Sequence, residues 1–296
     1  MITHIATDRR ANILGGIWMV VSMAAFAIED ALVKTAAETL PVGQVLVLFG
    51  LGGASVFAGL AALNKERLFV TDVLSRPMQI RACFEVLGRL FYMLAIALTP
   101  LSSATVILQA TPLVVVAGAA IVFGEKVGWR RWAAILIGLI GVVVIIQPGT
   151  DSFSILSVLA VLGMIGFAGR DLASRAAPAT LGTTLLGFYG FLSIIIAGIV
   201  FSCWEMVPFV KPDIKASLCL LAAMLAGTFA YASLMKAMRS GEVSVVTPFR
   251  YTRLVFGLTL GIAFFGERLV PSMMFGAGLI IVSGFFILWR GQRSGR

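Results

Sequence analysis

Phe123-Gly124-Glu125-Lys126 returns 142 positions later as Phe265-Gly266-Glu267-Arg268. Upstream, Phe26-Ala27-Ile28-Glu29-Asp30 returns 141 positions later as Phe167-Ala168-Gly169-Arg170-Asp171. Ser102 and Thr105 match Ser244 and Thr247 at 142, and Lys34 matches Arg175 at 141. Matches in one order at nearly one offset make the chain a single unit written twice, with halves at 1–149 and 150–296.

The repeated unit is embedded in apolar sequence. Hydrophobic residues make up 59% of the chain and charged residues 12%, with a mean hydropathy of +1.01. Soluble domains carry about 45–50% apolar and about 25% charged residues, so a soluble fold is excluded. A membrane-crossing helix needs about 20 apolar residues. Ten such segments stand out, near 13–33, 43–63, 80–98, 101–123, 132–148, 153–174, 181–203, 216–237, 244–265 and 272–289. The apolar runs are continuous, without the alternation of a membrane β-barrel. The expected fold is therefore all-α, with ten transmembrane helices. Each half holds five, an odd number, so the second half enters the membrane from the opposite side and the repeat is inverted.

The net charge of +9 does not point to nucleic acid, because its placement is one-sided. With a cytoplasmic N-terminus, sixteen Lys and Arg residues, Arg81 among them, fall on that side or its helix ends and four on the other, Lys34, Lys211, Lys215 and Arg268. That positive-inside bias places both termini in the cytoplasm. Arg9-Arg10 before an apolar run imitates a signal peptide, but the internal counterpart around Phe167 argues for a retained helix. Cys203 and Cys219 lie near the outer ends of neighbouring segments and could pair, although buried free thiols are the simpler reading. The lone histidine, His4, offers no metal cluster, and no cofactor is implied. No Walker A sequence is present, so ATP does not drive the protein directly.

Two stretches carry a family resemblance. One runs from Ser103-Ala104-Thr105 through Pro112-Leu113 to Gly124-Glu125. The other runs from Gly241-Glu242-Val243-Ser244 through Thr247-Pro248-Phe249-Arg250-Tyr251 to Gly266-Glu267. Together with the span count, they resemble the EamA-type members of the drug/metabolite transporter superfamily, over essentially the whole chain. Within that family the nearest likeness is to bacterial riboflavin importers. The resemblance implies a bacterial inner-membrane helical bundle around a central cavity lined by segments 1, 3, 4 and their mates 6, 8, 9. It also implies a small-molecule substrate. Family members move vitamins, amino acids, carboxylates, nucleotide-linked metabolites and toxic organic compounds.

Ionisable groups inside spans cost about 2.5–3.5 kcal/mol at a helix centre, so they mark function. In segment 3, Glu85 and Arg89 are spaced i,i+4 and are expected to pair, with Tyr92 a turn further along the same face. Arg89 then lies about 15 Å deep at 1.5 Å per residue. Segment 9 carries Arg250 and Arg253 around Tyr251, with no acid within a turn of either. Arg89, Arg250 and Arg253 against Glu85 leave a positive surplus, which favours an anionic or acceptor-rich substrate. Gln109, Tyr231 and Tyr251 complete the expected binding set. Asp30 with Lys34, and Asp171 with Arg175, read as i,i+4 pairs at opposite mouths that serve as gates. Glu29, the least neutralised acid of segment 1, is a candidate proton carrier, and Arg170 is its counterpart. Pro112 and Pro248 interrupt segments 4 and 9 as hinges. Gly138, Gly141, Gly276 and Gly278 suit close helix packing and a possible homodimer face.

The expected function is a secondary transporter of a small organic metabolite, with riboflavin-type import first. Export of amino acids or carboxylates, or a non-transporting membrane scaffold, stands as the alternative. An intramembrane enzyme is disfavoured, because no nucleophile, base or metal cluster is visible.

Overall fold

The computed structural model describes residues 9–122, 124, 128–147, 154–178, 180–240 and 247–294, and over these the chain is helical with no strand. In a bilayer core each backbone N–H and C=O must find its partner within the segment, so apolar runs of this length become helices. The first half contributes α1 (Arg9–Ala36), α2 (Val42–Leu63), α3 (Arg76–Leu98), α4 (Leu101–Leu108), α5 (Thr111–Val122) and α6 (Trp129–Ile146). The second contributes α7 (Ser157–Arg175), α8 (Thr183–Glu205), α9 (Ile214–Ser240), α10 (Thr252–Phe265) and α11 (Pro271–Ser294). A short 3-10 turn, Thr247–Tyr251, leads into α10.

Six stretches among the described residues are long and apolar enough to cross a membrane, including Leu101–Val122, which joins α4 and α5. Trp132–Ile146 and Pro271–Ile287 are shorter apolar helices. Helix α3 has 23 residues, long enough to span, but it carries Arg81, Glu85 and Arg89. Exposed Ile13, Ile17, Leu136, Ile140, Ile199, Leu218, Leu221 and Leu225 give the bundle an apolar exterior suited to lipid. The protein is a multi-pass membrane protein.

The break between α4 and α5 has a local cause. Pro112 has no N–H to give the carbonyl of Leu108. The Thr111 hydroxyl donates to that carbonyl instead. Bonds from the Gln109 N–H to Val106 and from the Ala110 N–H to Ile107, both 3.1 Å, tighten the end of α4. Pro248 lies in the 3-10 turn before α10, so the second proline also marks a departure from α-helix. Gly266 ends α10 with φ +61°, a left-handed conformation that favours glycine. Behind it, the Glu267 N–H reaches back 3.0 Å to the Gly261 carbonyl. Glu125 and Lys126, from the first copy of that motif, lie outside the described residues.

The helices pair across the two halves. Helix α1 packs on α9 and α10, α3 on α7 and α8, α2 on α8 and α9, and α6 on α11. Helix α7 also meets α4 and α5, and α4 meets α10. Three pairs approach backbone to backbone at glycine, α2 and α8 among them, where a Cβ at Gly198 would lie 2.7 Å from the Val47 nitrogen. A Cβ at Gly166 of α7 would lie 2.5 Å from the Gly88 nitrogen of α3. A Cβ at Gly141 of α6 would lie 2.7 Å from the Gly276 carbonyl oxygen of α11. Gly138 packs on Leu113 and Ser283, whereas Gly278 has nothing within 4 Å. All three cysteines are free thiols, and Cys83 and Cys203 are exposed rather than buried.

Gly166→Val should therefore push α7 off α3. Overpacking typically costs about 1–3 kcal/mol. A lower unfolding midpoint in detergent is expected, while Gly278→Ala should leave that midpoint unchanged.

Candidate functional site

Helix α3 carries a polar stripe along one face. Arg81, Glu85, Arg89, Tyr92 and Ile96 follow one another at spacings of four or three residues. Such spacing keeps side chains on one side of a helix, and 15 residues span about 22 Å. The stripe meets α7 at its Arg81 end and α1 at its far end.

The expected Glu85–Arg89 pair within α3 does not form. Glu85 is held by Arg81, one turn earlier at 3.4 Å, and by Arg170 of α7 at 3.3 Å. Arg81 also donates to the Ser174 hydroxyl at 3.0 Å. With both Glu85 oxygens engaged, Arg89 turns to α1 and binds Glu29 at 3.2 Å. Glu29, read from sequence as the least neutralised acid, is thus an ion-pair partner, and it is only 1% exposed.

Asp30 likewise does not pair with Lys34. Its Oδ2 accepts from Arg253 of α10 at 2.6 Å and from the Tyr92 hydroxyl at 3.0 Å. One carboxylate thereby joins α1, α3 and α10. Asp171 is bound by the adjacent Arg170 at 2.8 Å, and its expected pairing with Arg175 falls on a side chain outside the described residues. The expected surplus of unpaired arginines is accordingly reduced. Arg89 and Arg253 have carboxylate partners, supplied by α1.

The repeated phenylalanines now acquire a role. The Arg253 guanidinium sits 5.1 Å from the Phe26 ring, and that of Arg170 sits 4.8 Å from the Phe167 ring. In both copies of Phe-Ala-x-x-Asp, the aromatic ring and the carboxylate hold an arginine between them. Cation–π contacts of this kind contribute about 0.5–2 kcal/mol. Sequence reading gave the acids and bases roles but passed over Phe26 and Phe167, although their repetition was the available signal. Arg81, which the charge count groups with the cytoplasmic side and its helix ends, is buried.

At the far end of the stripe, Lys34 donates to the carbonyls of Ile96 at 2.8 Å and Thr99 at 2.6 Å. Glu267 accepts from the N–H groups of Leu101 at 2.6 Å and Ser102 at 2.9 Å, and from the Ser102 hydroxyl. A cation caps the carbonyl end of α3 and an anion caps the N–H end of α4, each matching the helix dipole it faces. The second copy of the Phe-Gly-Glu motif is thus a helix cap reaching across to the first half. Sequence reading had no partner for it.

The two broken spans meet. The Gln109 amide at the α4–α5 break donates to the Arg250 carbonyl in the 3-10 turn at 3.1 Å. Gln109 therefore ties one backbone to the other rather than standing free. Half-buried Arg250 lies within electrostatic reach of Asp171, Arg170 and Arg253. Among the described residues its guanidinium has no carboxylate partner and no hydrogen bond. Tyr251 packs away on Phe285 with ring centroids 5.6 Å apart. Tyr231 stands edge-on to Phe57 at 5.5 Å, close enough to feel Arg170, Asp171 and Glu85.

Removing the acid at the three-helix junction should be costly. Asp30→Ala leaves the Arg253 guanidinium in the bundle without its carboxylate, which costs about 3–5 kcal/mol. Glu38 and Lys215 form an exposed pair at 3.5 Å. Glu38→Ala should change stability by no more than about 0.5 kcal/mol. Thermal unfolding of the purified variants in detergent measures both.

Comparison with known proteins agrees with this architecture. The sequence profile of the EamA-like transporter family matches residues 13–147 and again residues 154–289. The S-adenosylmethionine uptake transporter of Rickettsia prowazekii is 26% identical over 294 residues, covering 97% of both chains. The riboflavin transporter of Vibrio cholerae is 27% identical over 293 residues, covering 95% of both. The pseudopaline exporter CntI of Pseudomonas aeruginosa is 26% identical over 277 residues, covering 90% of this chain and 93% of its own. A solved crystal structure superposes with a TM-score of 0.62 at 19% identity, over 95% of this chain and 98% of its own, a likeness of fold. With a polar stripe inside a helical membrane bundle and two copies of one family unit, the chain belongs to the EamA-like transporter family.

Proposed function

We propose that the protein is a secondary transporter that carries a small, anionic or acceptor-rich metabolite across the bacterial inner membrane by alternating access. The observation that carries this reading is the meeting of two broken spans at Gln109 and Arg250, with a guanidinium beside them that has no carboxylate partner among the described residues. Broken helices inside a membrane are tolerated where they line a cavity or are covered by protein, and in transporters they frame the substrate site. A guanidinium there binds a carboxylate, a phosphate or a pair of carbonyl oxygens. Arg89, Arg253, Glu85 and Tyr92 of the expected binding set serve as an ion-paired frame for the site, with Arg253 within electrostatic reach of Arg250.

The reading includes ten spans in two inverted halves, 1–149 and 150–296, counting α4 with α5 and the 3-10 turn with α10. The pattern of helix pairs supports it. Exchanging the halves turns α1 on α9 into α7 on α3, and α2 on α9 into α8 on α3. The same exchange turns α1 on α10 into α7 on α4 and α5, and returns α2–α8 and α6–α11 to themselves. With both termini cytoplasmic, the Lys34 and Glu267 caps lie at the outer face and act there as a gate between the halves. Pro112 and Pro248 serve as the hinges.

Riboflavin and S-adenosylmethionine are the first compounds to test, because two of the similar proteins are named for their uptake. Export is tested alongside, because a third is named as an exporter. Proteoliposomes holding the purified chain should show flux of at least one compound from a panel of these two, amino acids and carboxylates. Losing one charge-assisted hydrogen bond costs about 1.5–3 kcal/mol. Arg250→Ala should thus weaken apparent affinity by about 10- to 100-fold. Arg250→Lys should recover part of the loss. No flux in either direction across the panel would favour the scaffold alternative, and wild-type affinity in Arg250→Ala would remove Arg250 from the site.

A further inference from the structure

The carboxylates that bind across this bundle differ in how fully they are used. Glu267 engages both oxygens with three donors. Glu85 gives one oxygen to Arg170 and the other to Arg81. Asp30 takes two donors on Oδ2. Glu29 stands apart, because Arg89 reaches only its Oε1 and Oε2 is buried with no hydrogen-bond partner. A carboxylate has room for about four hydrogen bonds, so an oxygen left dry inside a membrane calls for a physical reason.

The surroundings of Oε2 supply one. It lies against the α9 backbone at Gly227, where a Cβ would come within 3.0 Å of both Oε2 and the Phe49 ring of α2. No donor comes from α9 or α2 at that point. The charged groups facing Glu29 are Arg89 from α3, Arg253 from α10 and its own neighbour Asp30. Arg253 is already committed to Asp30 at 2.6 Å. The Nε atoms of Arg89 and Arg253 are themselves buried without partners. The Glu29–Arg89 pair is therefore held by a single hydrogen bond, with unused polar atoms on both sides.

We propose that Glu29 is a proton-binding site whose protonation releases Arg89 for an anionic group of the substrate. The proton adds to Oε2, forming an O–H bond and turning the carboxylate into a neutral carboxyl. No existing hydrogen bond to Oε2 is broken. Arg89 keeps its charge and loses its counter-ion, and an entering carboxylate or phosphate replaces it. Proton and anion then occupy the bundle together without a net change in its charge, which makes the carrier a proton–anion symporter. The coupling half of this inference rests on the transport reading above, whereas the proton site does not.

Infrared difference spectroscopy on the purified, lipid-reconstituted full chain tests it without any substrate. On acidification from alkaline to mildly acidic buffer, the C=O band of a protonated carboxyl should grow. A guanidinium C–N band should shift in step as Arg89 loses its partner. Glu29→Gln should abolish both changes, and Glu85→Gln should retain both. If Glu29→Gln does not fold, Glu29→Asp replaces it and should move the carboxyl band, its acid being one methylene shorter. Bands that stay silent in the wild type, that survive Glu29→Gln, or that are unmoved in Glu29→Asp would overturn the proposal. Failure of every compound in the flux panel would leave this spectroscopic result standing.

Discussion

A charge inside a bilayer must be neutralised by a neighbour, because no water is there to solvate it. In this protein that constraint is met across helices rather than along them. The stripe on α3 is the centre of the arrangement. Its Arg81 end is occupied by α7 through Glu85 and Arg170, and its far end by α1 through Glu29, Asp30 and Lys34. The Asp30–Arg253 bond then fixes α10 against α1. Glycine approaches at Gly88–Gly166 bring α3 and α7 close enough for the Arg170 contact to form. The helix order around α3 follows from which charges its face has to satisfy.

The two halves use the same device with different chemistry. Each copy of Phe-Ala-x-x-Asp holds an arginine between a ring and a carboxylate. The residue before the aspartate is Glu29 in one copy and Arg170 in the other. The first half therefore draws arginines from α3 and α10 toward its acids, while the second half carries its own arginine and reaches for Glu85. Helix α9, lying against α1, sets Gly227 against Glu29 and offers it no charge among the described residues. Glu29 Oε2 is left dry, and among the described residues the Arg250 guanidinium has no carboxylate partner.

Much of this was legible in the residues. Apolar runs gave the helices, the offset gave the repeat, and Pro112 gave the break between α4 and α5. The list of intramembrane ionisable residues was also readable, because each is conspicuous against an apolar background. The pairings were not. The i,i+4 rule names a partner on the same helix, and it matched Glu85 with Arg89 and Asp30 with Lys34. Partners on adjacent helices compete for the same groups, and they win wherever packing brings them closer, as with Glu29 for Arg89 and Arg253 for Asp30. The role of Glu267 was hidden for a related reason. Its acceptors are satisfied by Leu101 and Ser102, more than 160 positions away.

The Asp30–Arg253 bond holds the end of α1 against α10. Pulsed electron resonance reads it directly, with spin labels at Glu38 beyond α1 and Val270 beyond α10 in a cysteine-free background. In lipid nanodiscs the parent should show one dominant short distance. Asp30→Asn, which removes the charge but can still accept from Tyr92, should add a population at longer distance. Identical distance distributions in the parent and in Asp30→Asn would contradict the account.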